Sequence, residues 1–334
     1  MADHPKQARK EAPVVWLLTD NKPGHRNQLK GIGNRLRVLT GAATHWVDAT
    51  TQSISLWRAV LGAAPRMHAE LPHPDLVVAA GTGTHRLLLS LRRLRGVRTL
   101  VIMKPGFPLS LVNGAVIPAH DRVPPGPRTL VTEGVINALT PLARITEKRE
   151  ALLLVGGPSP HFDWDDDVLL GQINHLIGQY PDWRWTIATS RRTPGTLQAR
   201  LDDLSGLRVS VVHPEQTHEN WLSHQLAGSR AAWVTPDSMS MVCEAATSAV
   251  PTGVFELANR TGSRVAEGVE RLVQQGYVAR WPDHAIVMAG RNPGNRTLWE
   301  ADRAARWIVE QKLLPASQAG KRNTFEQSKG GPAP

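Results

Sequence analysis

The sequence predicts an α/β protein made of two doubly wound domains facing a cleft. Three observations predict it. Short apolar runs alternate with stretches of helical period along most of the chain. A proline-rich segment, 118–128, interrupts the alternation, and a second series of similar size then begins. The 334 residues also exceed the usual size of one domain.

The first series opens with a strand over Val14–Thr19 and a helix over about Gln28–Leu39. A strand at Thr44–Ala49, a helix at Ile54–Leu61, a strand at Asp75–Ala80 and a helix at Thr84–Leu94 follow. Thr99–Met103, Gly114–Ile117 and Thr129–Val131 complete it as strands. Pro118, Pro124, Pro125 and Pro127 exclude helix and central strand between them. After Pro141 a charged stretch reads as helical up to Glu150. The second series runs strand Ala151–Val155, helix Asp165–Gln179, strand Arg184–Thr189, helix Thr196–Leu204 and strand Arg208–Val212. Helix Trp221–Leu226, strand Ala231–Thr235, helix Met239–Ser248, strand Thr252–Phe255 and helix Arg264–Gln275 continue it. Leu298–Gln311 is a last amphipathic helix. The predicted boundaries are a flexible N-terminus 1–12, domains 13–145 and 146–296, a C-terminal helix 297–314 and a disordered tail 315–334.

Composition narrows the class. A 41% hydrophobic and 20% charged chain suits a soluble globular protein. No apolar run nears the roughly 20 residues that span a bilayer. The charged start, Met1–Ala12, lacks the apolar segment of a secretory signal. One cysteine, Cys243, excludes an intrachain disulfide and a multi-thiolate zinc site, and a reducing cytoplasm is the simplest setting. It is expected to face the core and is not marked as a nucleophile. The net charge of +10 and a pI near 10.3 suit anionic partners. The densest basic stretch is Arg86–Arg98, read as an amphipathic helix running into a loop. It is either a solvated face or a patch for anionic lipid headgroups. Eleven Trp stand against two Tyr and four Phe. Trp16, Trp46, Trp185, Trp233 and Trp307 lie on candidate elements, where core packing is the default. No aromatic ladder interleaves with basic residues, so no nucleic-acid partner is expected.

Ligands of doubly wound sheets bind beyond the carboxyl ends of the strands. After the first strand come Asp20, Gly24, His25 and Gln28 in a loop leading to a helix; Asp20 and His25 suit a general base, and a polar turn is the plain reading. Gly81-Thr82-Gly83-Thr84-His85 lacks the full spacing of a dinucleotide fingerprint, and Lys104 is a second basic group on the same rim. In the second series Gly156-Gly157 reads as a tight ligand-facing turn. Ser190, Arg191 and Arg192 combine a hydroxyl with two guanidiniums, which suits phosphate, though Ser is also an ordinary cap. The most informative segment is Thr235–Ala246. A helix start near Ser238, with Ser240 in its first turn, suits a diphosphate. Glu244 is four residues beyond Ser240 and about 9 Å along a helix from Ser238, the right span for the ribose of the same nucleotide. The plain alternative is a capped helix with Glu244 in a structural hydrogen bond.

The motifs Leu18-Thr19-Asp20…Gly24-His25…Gln28, Ala119-His120-Asp121…Pro124-Pro125-Gly126-Pro127, Gly156-Gly157-Pro158-Ser159, Thr189–Thr193 and Asp237-Ser238-Met239-Ser240-Met241…Glu244-Ala245 resemble one known family. It is the family of the plant "elongated mitochondria" fission factor, whose bacterial members are regarded as glycosyltransferases. The resemblance runs from about Val14 to Arg280. It implies a GT-B architecture, with acceptor on domain 13–145, nucleotide sugar on domain 146–296, and the last helix crossing back to the first domain. It implies that Ser238, Ser240 and Glu244 grip diphosphate and ribose, that Gly156 and Gly157 face the nucleotide, and that Asp20, Gly24 and His25 form the acceptor-side loop.

The expected activity is metal-independent transfer of a sugar from a nucleotide-sugar donor to a glycan or glycolipid acceptor, such as lipopolysaccharide core. Asp20 or His25 is the candidate base, with no cofactor beyond the donor substrate and no metal. Gln28 and Lys104 are placed on the acceptor side. The expected setting is cytoplasmic, peripheral on the inner, anionic face of the cell membrane. The alternatives are a non-catalytic membrane-associated adaptor of the fission-factor type and a nucleotide-sugar epimerase.

Overall fold

A computed structural model describes residues 12–315 of the protein, apart from 68, 69 and 295. The expectations for residues 1–11 and for the tail beyond 315 lie outside the described residues. The described chain divides into two compact units, 12–117 with 123–131 and 301–315, and 118–122 with 132–300.

The first unit contains β1 (Val14–Thr19), α1 (Pro23–Thr40), β2 (Ala43–Asp48), α2 (Leu56–Leu61), β3 (Leu76–Ala80), α3 (His85–Leu91), β4 (Arg98–Ile102), β5 (Gly114–Pro118) and β6 (Thr129–Thr132). They form one sheet in the order β2-β1-β3-β4-β5-β6, in which β1 to β5 pair in parallel. The order reverses beside β1, so the carboxyl ends of β1 and β3 flank the topological switch point. Strand β3 is buried at every position, as a parallel strand covered on both faces must be. Helix α1 buries Leu29, Ile32 and Leu36, which share one face at helical spacing. Each contributes about 2 kcal/mol of apolar burial. A Cβ on Gly33 would stand 2.9 Å from Leu17, so glycine lets α1 lie close on the sheet.

The second unit contains β7 (Glu150–Leu154), β8 (Phe162–Asp163), α4 (Asp166–Gln179), β9 (Arg184–Ala188), α5 (Gly195–Asp202), β10 (Val209–Val212), α6 (Trp221–Gly228), β11 (Ala231–Val234), α7 (Met239–Thr247), β12 (Thr252–Val254), β13 (Ala258–Asn259), α8 (Arg264–Gln274) and α9 (His284–Met288). Its parallel sheet has the order β10-β9-β7-β11-β12, with the switch point between β7 and β11. Alternate side chains feed two cores: Leu153, Trp185 and Trp233 on one face, Leu152, Leu154 and Val234 on the other. The segment 118–122 belongs here because His120 packs on Gly268, Arg122 pairs with Glu267 and Asp121 with Arg264.

The last helix, α10 (Glu300–Glu310), is part of the first unit from Ala301 onward. Ala304, Ala305 and Ile308 are fully buried, and Trp307 and Leu313 close on Gly114. Asp302 accepts from Arg35 Nε at 2.9 Å and from Arg306 Nε at 2.6 Å. Burial pushes its carboxyl up, but the hydrogen bonds from Arg306 and Arg35 outweigh it and hold the group below the usual carboxylate range.

Several expectations need correction. Helix α1 begins at Pro23, not near Gln28, because proline at the first helical position is already set for the helix. Gly24, His25 and Gln28 are therefore helical. The stretch after Pro141 is irregular up to Lys148; Leu142 N–H donates to Ser248 O at 3.0 Å, so its backbone docks on the end of α7 rather than coiling. Trp46 is 40% exposed because β2 is an edge strand, and the Arg26 guanidinium lies 4.7 Å over its ring. Helix α3 is shorter than Thr84–Leu94, a 3₁₀ turn at Thr82–Thr84 preceding it.

Candidate functional site

At the switch point of the second unit the chain ties a polar knot. Strand β7 runs into Gly156-Gly157, and β11 into Thr235-Pro236-Asp237. The Asp237 side chain is 0% exposed. Its Oδ2 accepts from Gly157 N–H at 3.2 Å and from Arg192 Nη2 at 2.5 Å. Thr235 Oγ1 accepts from Gly156 N–H at 2.8 Å. Arg192 Nη1 also donates to Gly157 O and Pro158 O, at 3.2 and 3.3 Å. Ser190 Oγ accepts from Arg192 N–H, and Thr193 Oγ1 accepts from Ser190 N–H and donates to Gly156 O. Both glycines are required by close approach. A Cβ on Gly156 would fall 2.2 Å from Asp237 Oδ2, and one on Gly157 2.0 Å from Arg192 O. The amides of Gly156 and Gly157 are thus spent inside the protein. The Arg192 side chain is 44% exposed even though its guanidinium is tied to Asp237 and the loop carbonyls, and exposed Arg191 stands beside it.

Helix α7 starts from the same knot. Ser238 is its N-cap and accepts from Met241 N–H at 3.5 Å. Ser238, Ser240, Met241 and Glu244 are half-buried, and every other position from Met239 to Ser248 is packed inside. The helix therefore shows one narrow stripe with two hydroxyls and a carboxylate. Cys243 faces inward as expected. Its Sγ accepts from Val135 N–H at 3.2 Å, and burial pushes its thiol up to about 12. Beyond the end of β12 a cavity of about 200 Å³ is lined by Phe162, Pro236, Phe255, Glu256 and Trp281.

At the switch point of the first unit Asp20 follows β1 and Gly81 follows β3. Asp20 Oδ1 lies 2.8 Å from His25 Nδ1; the side chains are 6% and 21% exposed. A carboxylate only accepts, so Nδ1–H is the donor of this bond and Nε2 takes no part in it. Gly81 has φ +91°, and a Cβ there would fall 2.3 Å from His25 Nδ1 and 2.5 Å from Asp20 Oδ2. His85 stacks edge-on to Phe107; burial lowers its pKa, against the pull of Asp20. A recess of about 330 Å³ lined by Gln52, Ser53, Ile54, Thr82, Gly83 and Arg86 adjoins the dyad through Gly83.

The structure brings Asp20 and His25 together, as it does Gly156, Gly157, Ser190 and Arg192. Gln28 is not at the surface of a loop. It is 5% exposed on α1, donates to Met103 Sδ at 3.6 Å, and its Oε1 has no partner. Gly24 sits in the first turn of α1 with open space around it, and Lys104 is exposed after β4. Asp237, Thr235, Thr193 and Gly81 carry these clusters, although the sequence motifs that contain them gave them no role of their own. The signal for Asp237 was a carboxylate three residues beyond a fully apolar strand, Ala231–Val234. Among the described residues no group of three or more His, Cys, Asp or Glu could hold a metal ion, and no helix is long and apolar enough to cross a membrane.

Two doubly wound units, each with a parallel sheet, define the GT-B fold class. The structure of a protein described as a UDP-N-acetylglucosamine 2-epimerase from Listeria monocytogenes matches with TM-score 0.55 at 11% identity, over 90% of this chain and 95% of that one. A UDP-GlcNAc 2-epimerase from Neisseria meningitidis, bound to UDP-GlcNAc, matches with TM-score 0.50 at 12% identity, over 90% and 99%. The chain belongs to the mitochondrial fission ELM1 family, whose model matches residues 23–312. An uncharacterized protein of Rickettsia prowazekii, RP120, is 22% identical over 330 residues, covering 82% of this chain and 92% of the relative.

Proposed function

We propose that the protein is a glycosyltransferase that moves a sugar from a nucleotide-sugar donor to a hydroxyl of a glycan or glycolipid acceptor such as lipopolysaccharide core. The accessible stripe of α7 carries this reading: Ser238, Ser240 and Glu244 on a helix otherwise buried, beginning at the switch point of the second sheet. The hydroxyls and the helix start take the diphosphate, and Glu244 takes the ribose. Arg191 and Arg192 offset the charge of the departing diphosphate without a metal. In the first unit His25 Nε2 accepts the proton of the acceptor hydroxyl. The acceptor oxygen bonds to the anomeric carbon, and the bond from that carbon to the diphosphate breaks. Asp20 stabilises the imidazolium that results. Gly24 and Lys104 stand on the acceptor side.

Isothermal titration against nucleoside diphosphates and their sugars tests the donor half. One nucleotide is expected to bind, more weakly to Ser238→Ala and Glu244→Ala, and turnover is expected to persist in EDTA. Silence across the panel from folded protein would overturn the reading. The likeness to two structures described as 2-epimerases favours a second reading, a nucleotide-sugar epimerase. Conversion of the donor sugar with no acceptor present would select it.

A further inference from the structure

Helix α2 inverts the usual pattern of a surface helix. Of its six residues only Ala59 is buried. Leu56, Trp57, Val60 and Leu61 are 62%, 75%, 54% and 57% exposed. They pair at i, i+4 as Leu56 with Val60 and Trp57 with Leu61, so they form one outward face. The helix is held at both ends. Ser55 Oγ accepts from Arg58 N–H at 3.4 Å, and Gly62 closes the C-terminus in the left-handed region. Helix α3 anchors it from below, through the guanidinium of Arg92, which donates to Ala59 O and, at 2.6 Å, to Val60 O. The apolar face is therefore presented by a fixed element.

Its surroundings are basic. From Ala49 to Met67 and from Leu76 to His120 the chain has no Asp or Glu, while it has eight Arg and Lys. Arg58 is exposed on α2 itself. The stem of Arg93 lies against Gly62, where a Cβ would fall 2.8 Å from its Cγ, and Arg93 and Arg95 are exposed.

We propose that α2 and the arginines beside it dock the protein on an anionic lipid bilayer. Leu56, Trp57, Val60 and Leu61 enter the headgroup–acyl boundary, and Arg58, Arg93 and Arg95 lie among the phosphates. A tryptophan with a polar edge suits that depth. Arginines can bury their stems while the guanidiniums stay with the headgroups. The charge favours lipid over a second copy of this chain, which would meet the same basic rim. A six-residue helix also offers far less than the ~800 Å² per partner of a stable protein interface. Gln52, Ser53 and Ile54, just ahead of α2, line the recess beside Asp20, so a lipid-linked acceptor would meet it close to the bilayer. That last link alone rests on the glycosyltransferase reading.

The test is co-sedimentation of the full chain with phosphatidylcholine vesicles, with and without phosphatidylglycerol, and with no donor or acceptor added. A failed donor titration thus leaves this result standing, and the reverse. The wild type is expected to bind the anionic vesicles. Trp57→Ala with Leu61→Ala should lower the partition coefficient roughly a hundredfold with the thermal melt unchanged. Arg93→Gln with Arg95→Gln should lower it roughly tenfold and remove most of the salt dependence. Wild-type protein that binds neither vesicle, or an apolar double variant that binds as well as wild type, overturns the proposal. So does a dimer in sedimentation velocity that the apolar double variant abolishes while vesicle binding is absent.

Discussion

The two switch points are built on one plan and differ in a single partner. In each, a glycine beyond one central strand leaves room for a carboxylate that follows its neighbour: Gly81 for Asp20, Gly156 for Asp237. In the first unit the carboxylate meets a histidine, 21% exposed, which keeps a second ring nitrogen outside their bond. In the second it meets an arginine, which can only donate. In the proposed transferase, acid–base work therefore falls to the first pair, and charge and shape at the diphosphate fall to the second.

The largest effect should come from removing the titratable partner. His25→Ala is expected to cut transferase turnover about a thousandfold while donor affinity by calorimetry stays the same. A fall in donor affinity instead would dissolve the contrast. Arg192→Ala should do the opposite. It leaves the Asp237 carboxylate, with no exposed side-chain surface, facing only Gly157 N–H, at a cost of about 3 kcal/mol in urea denaturation, together with weaker donor binding. The glycines sharpen the same contrast. Gly156→Ala should cost about 2.5 kcal/mol and donor affinity, because its Cβ falls on the Asp237 carboxylate. Gly81→Ala adds a left-handed φ to the clash with His25 and should show its loss in turnover.

Much of this plan was legible because it is local. The buried strands announce themselves as apolar runs, and the start of α7 at Ser238 follows from a hydroxyl ahead of a helical pattern. Cys243 among alanines reads correctly as core. What was hidden depends on contacts far apart in sequence. Nothing near Asp237 announces Arg192, 45 residues earlier, and nothing near Asp20 announces Gly81. Trp46 reads as core until the strand order places β2 at the sheet edge. The stretch after Pro141 has helical composition, but its backbone finds a partner in Ser248 O. Propensity gives way to docking there.

Asp302 supplies a control for the second unit's pair, since it is a carboxylate between arginines and the proposed mechanism gives it no role. Its carboxyl is held below the usual range, so its contribution is present above the unfolded value near 4 and is lost as pH falls through the lower folded value. Asp302→Asn should cost about 2 kcal/mol at pH 7 and flatten that acid loss, with donor affinity untouched. If Arg192→Ala behaves in the same way, destabilising but with full donor affinity, the Asp237 pair is structural only.

The smallest effect separates the cap from the ligand. Ser238 already accepts from Met241 N–H, so Ser238→Ala costs stability, about 1 kcal/mol, whatever α7 binds. Ser240 caps nothing and lies half-exposed one turn ahead of Glu244. Ser240→Ala should therefore leave the denaturation midpoint in place and weaken the nucleoside diphosphate about fivefold, the worth of one hydrogen bond. If the two variants lose stability and affinity in the same proportion, the stripe acts only through helix integrity. Affinity lost at Ser240 with stability intact means that the hydroxyl itself touches the donor.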